Sequence, residues 1–174
     1  MQQEQENKFR SMTRDELLRA LEMFAKNWLA HDGCWFLAAE ECFGLETAID
    51  LDARSWKRFA AVEARRIMST FNIPESGGLE SLEKALSLRL YAVVNSQRTE
   101  WSSDRKHLRF FMDACRVQEA RRSKGMADFP CKSVGIVEFE TFAGTVDPRI
   151  KTVCLHCPPD AAAEQFCGWE FTLE

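Results

Sequence analysis

Two hydrophobic periodicities meet in this chain, on either side of Ile73-Pro74-Glu75-Ser76-Gly77-Gly78. Before that break the large apolar residues recur at helical spacing, and well after it they alternate with polar ones. A 3.6-residue period buries one stripe of a helix and a 2-residue period buries one face of a strand. Proline and paired glycines between the two patterns stop any element from running through. The chain is therefore expected to be α+β, with an N-terminal helical layer packed against a C-terminal antiparallel β-sheet. Its 174 residues suit one domain over 13–174, helical over 13–95 and mixed over 96–174, behind a disordered lead-in at 1–12.

The helical part opens on Thr13-Arg14-Asp15-Glu16, a capping box. Leu17, Leu21, Phe24 and Trp28 follow at i, i+4, i+7 and i+11, which predicts one buried face. His31-Asp32-Gly33 reads as the end of this helix, with a second helix over Cys34 to Phe43 stopped by Gly44. Asp52 to Phe71 predicts a third, with Trp56, Ala60, Ala64, Ile67 and Phe71 inward. Its other side carries Arg54, Lys57, Arg58 and Arg65, a solvated face or an anion or partner site. Leu79, Leu82, Leu86, Leu90 and Val93 continue the helical spacing, although Leu86, Leu88 and Leu90 also alternate.

Leu108, Phe110, Met112 and Ala114 alternate with Arg109 and Asp113 and predict a strand, with Phe111 on its polar face. Arg98 to Ser102 is its expected hairpin partner. A short helix from Cys115 to Lys124 and a longer one from Ser133 to Val146 come next. Ile150 to Cys157 and Phe166 to Leu173 are read as the closing strands.

A formal net charge of -4, with no basic run interleaved with aromatics, argues against nucleic acid as a partner. No apolar stretch approaches the roughly 20 residues that span a bilayer, so no membrane role is expected. The start, MQQEQENKFR, lacks the apolar core of a signal peptide, which points to a cytoplasmic protein whose cysteines are thiols or ligands. Their number, seven, also fits a disulfide framework poorly.

Those cysteines carry most of the candidate chemistry. In Val153-Cys154-Leu155-His156-Cys157-Pro158-Pro159-Asp160, strand alternation places Cys154 and His156 on one face and Cys157 on the other. Two ligands on opposite faces cannot clasp one ion, so chelation requires Cys157 to leave the strand, as the following prolines permit. A closing hairpin brings Cys157 toward Cys167, while Cys131 follows Phe129-Pro130 in a loop and Cys115 opens a helix. Three readings stay open. Cys115, Cys131, Cys157 and Cys167 could hold a metal, with zinc as the default and an iron–sulfur cluster as runner-up. They could equally be small apolar core residues. Or one could be a reactive thiol, Cys115 being favoured because a helix start and Arg116 stabilise thiolate, with His156 as its base. His156 could instead be a metal ligand or an ordinary strand histidine. His31 and Asp32, before Gly33-Cys34-Trp35-Phe36, form either a pocket mouth or a helix-connecting turn.

His-Asp-Gly-Cys-Trp-Phe (31–36), Cys-Arg-Val-Gln-Glu-Ala-Arg (115–121), Phe-Pro-Cys (129–131) and Cys-Gly-Trp-Glu-Phe (167–171) together resemble an uncharacterised family of small prokaryotic cytosolic proteins. The likeness runs from about Thr13 to the end and implies a fold without an activity. The chain is similar, more distantly, to the L-2-amino-thiazoline-4-carboxylate hydrolase family, which implies hydrolytic opening of a small sulfur heterocycle. It also resembles vinyl-reductase-type small-molecule-binding domains, whose C-terminal cysteines can hold zinc. That likeness implies a metal or ligand site at Cys115, Cys131, Cys157 and Cys167.

The expected function is thus binding of a small-molecule ligand at a cysteine-rich site, with a homodimer as a compatible state. One alternative is a small-heterocycle or amide hydrolase that uses Cys115 or a zinc-bound water with His156 as base. The other is a protein-interaction module whose cysteines are only structural.

Overall fold

A computed structural model describes residues 7–160 and 164–173. Of the expected lead-in, residues 1–6 lie outside the described residues, whereas Lys8–Ser11 form a 3-10 turn capped by Asn7. The elements then run α1 (Arg14–Phe43), α2 (Leu45–Phe71), α3 (Gly78–Leu86), α4 (Tyr91–Val94), β1 (Ser96–Trp101), β2 (His107–Ala114), α5 (Arg116–Ser123), α6 (Lys132–Val146), β3 (Ile150–His156) and β4 (Cys167–Leu173). All strand pairs are antiparallel and the order is β1-β2-β4-β3. The chain is α+β, helices first and sheet last, and the break at 73–78 lies between α2 and α3.

α1 begins as expected: the Thr13 hydroxyl accepts from the Glu16 amide, and the Glu16 carboxylate accepts from the Thr13 amide. It does not end at Gly33. A lone glycine inside a helix costs only about 1 kcal/mol against alanine, and the helical pattern resumes directly beyond it. The stop is Gly44, at φ 81° and ψ 162°, a conformation essentially closed to other residues. Gly44 ends α1 and starts α2 at once, so the two long helices fold back on each other and α2 begins seven residues before Asp52.

The predicted buried face of α1 is only partly buried. Trp28 stacks on Phe59 and meets Trp56 edge-on, but Leu17, Leu21 and Phe24 are about half exposed. Periodicity identifies a helix's apolar stripe without saying what covers it, and the N-terminal half of α1 is largely exposed. On α2, Trp56, Ala60, Ala64 and Ile67 are buried as expected, while Phe71 at the helix end is exposed.

The inner face of the sheet carries Leu108, Phe110 and Met112 from β2 and Trp169 and Phe171 from β4. Phe139 of α6 packs against Phe110, Trp169 and Phe171, with ring centroids 4.6 to 6.2 Å apart. Gly135 of α6 lets Trp169 approach, since a Cβ there would lie 2.7 Å from the indole. On the outer face Arg98 covers the Phe111 ring at 4.3 Å, which accounts for an aromatic among polar neighbours.

At the centre of the helical layers Arg89 is 2% exposed. Its Nε donates to Glu63 of α2 at 2.9 Å and its Nη2 to Glu138 of α6 at 2.6 Å. The rings of Trp56, Tyr91, Phe139 and Phe142 surround the guanidinium at 4.7 to 5.7 Å. Removing one partner of such a buried set strands the others' charge. Arg89→Met is expected to lower the unfolding free energy by about 3–5 kcal/mol, read as a fall in the urea midpoint at unchanged slope.

Candidate functional site

α1, α2, α4, α5, α6 and the inner face of the sheet line a cavity of about 430 Å³ that opens to solvent. Its apolar wall comes from Leu29 and Phe36 of α1, Trp56 of α2, Met112 of β2, Phe139 of α6 and Trp169 of β4. Phe36 meets Phe129 edge-on at 4.8 Å and closes one side. The loop bearing Phe129 is held by buried Gln118, whose amide nitrogen donates to the Phe129 carbonyl and whose oxygen accepts from the Phe129 amide, both at 2.8 Å.

Cys115, Cys131, Cys157 and Cys167 all line this cavity. Simple alternation along β3 would not bring Cys157 there on the same face as Cys154. The structure differs from that expectation through a β-bulge: Cys154 pairs with Trp169 and His156 with Gly168, leaving Leu155 as an extra, exposed residue. A bulge inserts one residue and shifts the alternation by one. Cys154 and Cys157 therefore both turn inward, and Cys157 is 2% exposed just past the strand. Cys154 is half-buried in the sheet and does not line the cavity.

The same bulge turns His156 outward, over Gly168, where its Nε2 lies 3.2 Å from the Gln165 carbonyl. His156 borders a separate pocket with Pro158 and Asp160. The structure therefore does not bring together the expected thiol–base pair of Cys115 and His156, which lie on opposite faces of the sheet.

Cys131 and Cys157 are in contact, with sulfurs 3.4 Å apart. The hydrogen bond from Cys157 lowers the Cys131 thiol's pKa, with help from Gln118. Cys157, hydrogen-bonded with Cys131 and close to Cys167, is pushed up. Cys115 is pushed up to about 12, because burial outweighs the helix-start amides of Val117 and Gln118. The helix-terminus argument for a Cys115 thiolate thus loses to desolvation. Among the described residues, no group of three or more His, Cys, Asp or Glu side chains is placed to hold a metal ion. The zinc and iron–sulfur expectations find no ready ligand set in this arrangement.

The lining also includes Asp32 of α1, Asp52 of α2 and Tyr91 of α4. Asp52 is pushed up to about 7, first by burial, then by the charges of Asp32 and Glu138, against a hydrogen bond from Trp56. Burial also raises Asp32, against His31. Of the two sequence alternatives for residues 31–36, the pocket is nearer the observed placement, since Asp32, Gly33, Cys34 and Phe36 line the cavity from within a continuous helix. Asp52, Tyr91, Gln118 and Glu138 were not singled out from the sequence. Glu138 could have been found, because it lies four residues from Val134 and from Phe142 on the buried face of α6.

A protein-family model described as a family of unknown function (DUF6125) matches residues 10–173. No curated protein matches the sequence. Among solved structures, the phenol-responsive sensory domain of the transcription activator PoxR, with phenol, is similar at a TM-score of 0.54 and 14% identity, over 83% of this chain and 73% of that one. Trafficking protein particle complex subunit 3 from Naegleria fowleri, covalently bound to palmitic acid, matches at a TM-score of 0.52 and 10% identity, over 89% and 95% of the two chains. These likenesses show a shared fold. No helix among the described residues is long and apolar enough to cross a membrane.

The thiol environments predict an order of alkylation. In a brief iodoacetamide pulse read by peptide mass spectrometry, exposed Cys34 and Cys42 are expected to label first. Among the cavity thiols Cys131 is expected to react before Cys115 and Cys157, and a faster Cys115 would contradict its burial.

Proposed function

We propose that this chain, which belongs to the DUF6125 family of unknown function, is a small-molecule-binding domain that holds a largely apolar ligand in its cavity. The observation that carries this reading is the cavity itself. Its volume of about 430 Å³ is that of a drug-sized ligand site, and aromatic and aliphatic walls meet a few convergent polar groups. Two of those groups, Asp32 and Asp52, are made weaker acids by burial, as is common where a fold is shaped for a ligand. The reading also agrees with the ligands named for the structural neighbours, phenol in one and palmitic acid in the other. It needs no catalytic base at His156 and no metal.

Trp56 and Trp169 line the cavity and report on its contents. Phenols and medium-chain acids, alcohols and amines are expected to quench tryptophan emission saturably in the wild type. Met112→Trp, which fills the cavity from the sheet side, is expected to abolish saturable binding at a stability cost of about 1–3 kcal/mol. Binding unaffected by a folded Met112→Trp protein would place the ligand elsewhere.

We also propose that the exposed stripe of α1 pairs with a second copy of the chain. Leu17, Leu18, Leu21 and Phe24 expose a contiguous apolar surface. Arg14, Arg19 and Lys26 alternate along it with Asp15, Glu16 and Glu22, so an antiparallel copy meets opposite charges. Sedimentation velocity is expected to show a concentration-dependent dimer that Leu21→Glu converts to monomer, and a wild-type monomer at high micromolar concentration would refute the pairing.

A further inference from the structure

Asp32, Asp52 and Tyr91 bring two carboxylates and a phenol hydroxyl together in the lining of a mostly apolar cavity. Within the described residues the Tyr91 hydroxyl has no hydrogen-bond partner, and no salt bridge reaches either aspartate. Tyr91 lines the cavity with its ring stacked on Trp56 at 5.8 Å, and is half-buried there.

Among the described residues no arginine or lysine is salt-bridged to these carboxylates, and His31 is the cationic neighbour of Asp32. Arg89, the nearest deeply buried charge, is held by Glu63 and Glu138. Lys26 is paired with Glu22, and Arg121 with Glu40 and the Ala127 carbonyl. Arg116 and Lys124 lie exposed at the rim. The two carboxylates therefore repel each other without a salt-bridge partner, beside aromatic surface.

Resting on the reading of the cavity as a small-molecule site, we infer that its ligand class is a primary amine on an aromatic or aliphatic body, with the ammonium set among Asp32, Asp52 and the Tyr91 hydroxyl. A primary ammonium carries three N–H donors, and these three side chains offer three acceptors. The apolar body lies against Trp56, Phe139 and Trp169. A divalent metal suits the place less well, since it demands six or more oxygens or a closed ligand set, and no such group is present among the described residues.

The titratable and charged groups facing Asp52 are Asp32 and His31 from α1, Glu138 with Arg89 behind it, Tyr91, and Cys115 across the cavity. An ammonium binds the ionised aspartate. With Asp52 near 7 in the free protein, amine affinity is full above that pH and falls about tenfold per unit below it, as Asp52 takes up its proton.

The test is calorimetric titration of 2-phenylethylamine, 2-phenylethanol and 3-phenylpropanoate, with the matching octyl amine, alcohol and acid, at pH 8 and pH 6. The amines are expected to bind at least tenfold more tightly than the alcohols at pH 8 and to lose that advantage by pH 6. Asp52→Asn is expected to remove the preference and its pH dependence while leaving the alcohols' affinity in place, and Tyr91→Phe to weaken the amines severalfold. Circular dichroism melts of both variants, with Asp32→Asn as a third, separate lost binding from lost folding. If alcohols or acids bind and amines hold no advantage, or if a folded Asp52→Asn protein keeps the preference, the amine assignment is overturned and the cavity reading stands. If no member of either series binds a wild-type protein that melts normally, both are overturned.

Discussion

The buried guanidinium of Arg89 is the interaction on which the rest of the molecule depends. It joins α2 through Glu63, α6 through Glu138, and the α3–α4 connection that carries Arg89 itself. Each carboxylate would be expensive to bury alone, and so would the cation; only the closed set is tolerable in this interior. The four surrounding rings add attraction and exclude water. Because ion pairs are directional where apolar contacts are not, this set specifies the mutual placement of α2 and α6 more narrowly than the alanine-lined contact around it.

The same set shapes the cavity's chemistry. Glu138 lines the cavity while bound to Arg89, and its residual field raises Asp52 and Tyr91. The scaffold thus sets two carboxylates without a salt-bridge partner in a mostly apolar lining. At the thiols a single extra residue, Leu155, decides which side chains enter: it admits Cys157 to the thiol cluster and excludes His156. One backbone irregularity therefore separates two groups that strand alternation and chemistry would have made partners.

Much of the fold was legible. The α1 capping box, the inward face of α2 through Ile67, the strands at 107–114 and 167–173 and the break at 73–78 all follow from local patterning that tertiary contacts reinforce. The failures have distinct physical causes. Gly33 reads as a stop, but its cost inside a helix is small against a pattern that continues on both sides. The apolar face of α1 reads as buried, but amphipathicity does not say where a partner surface lies. The thiol set at the cavity was legible because each cysteine sits at an element end. The carboxylate pair was not, because Asp32 and Asp52 are twenty residues apart on two helices whose register is set by the turn at Gly44.

Sequence alone determined the α+β class, the order of the elements, the exposed or inward tendency of most helical faces, and the gathering of late cysteines near the sheet's end. These follow from side-chain periodicity and cap chemistry, which act over a few residues. Tertiary structure alone decided that Arg89 lies between two buried glutamates, that a bulge turns Cys157 inward and His156 outward, and that Asp32, Asp52 and Tyr91 share one cavity wall. Those outcomes depend on charge desolvation and close packing between distant segments, and neither is encoded in local spacing.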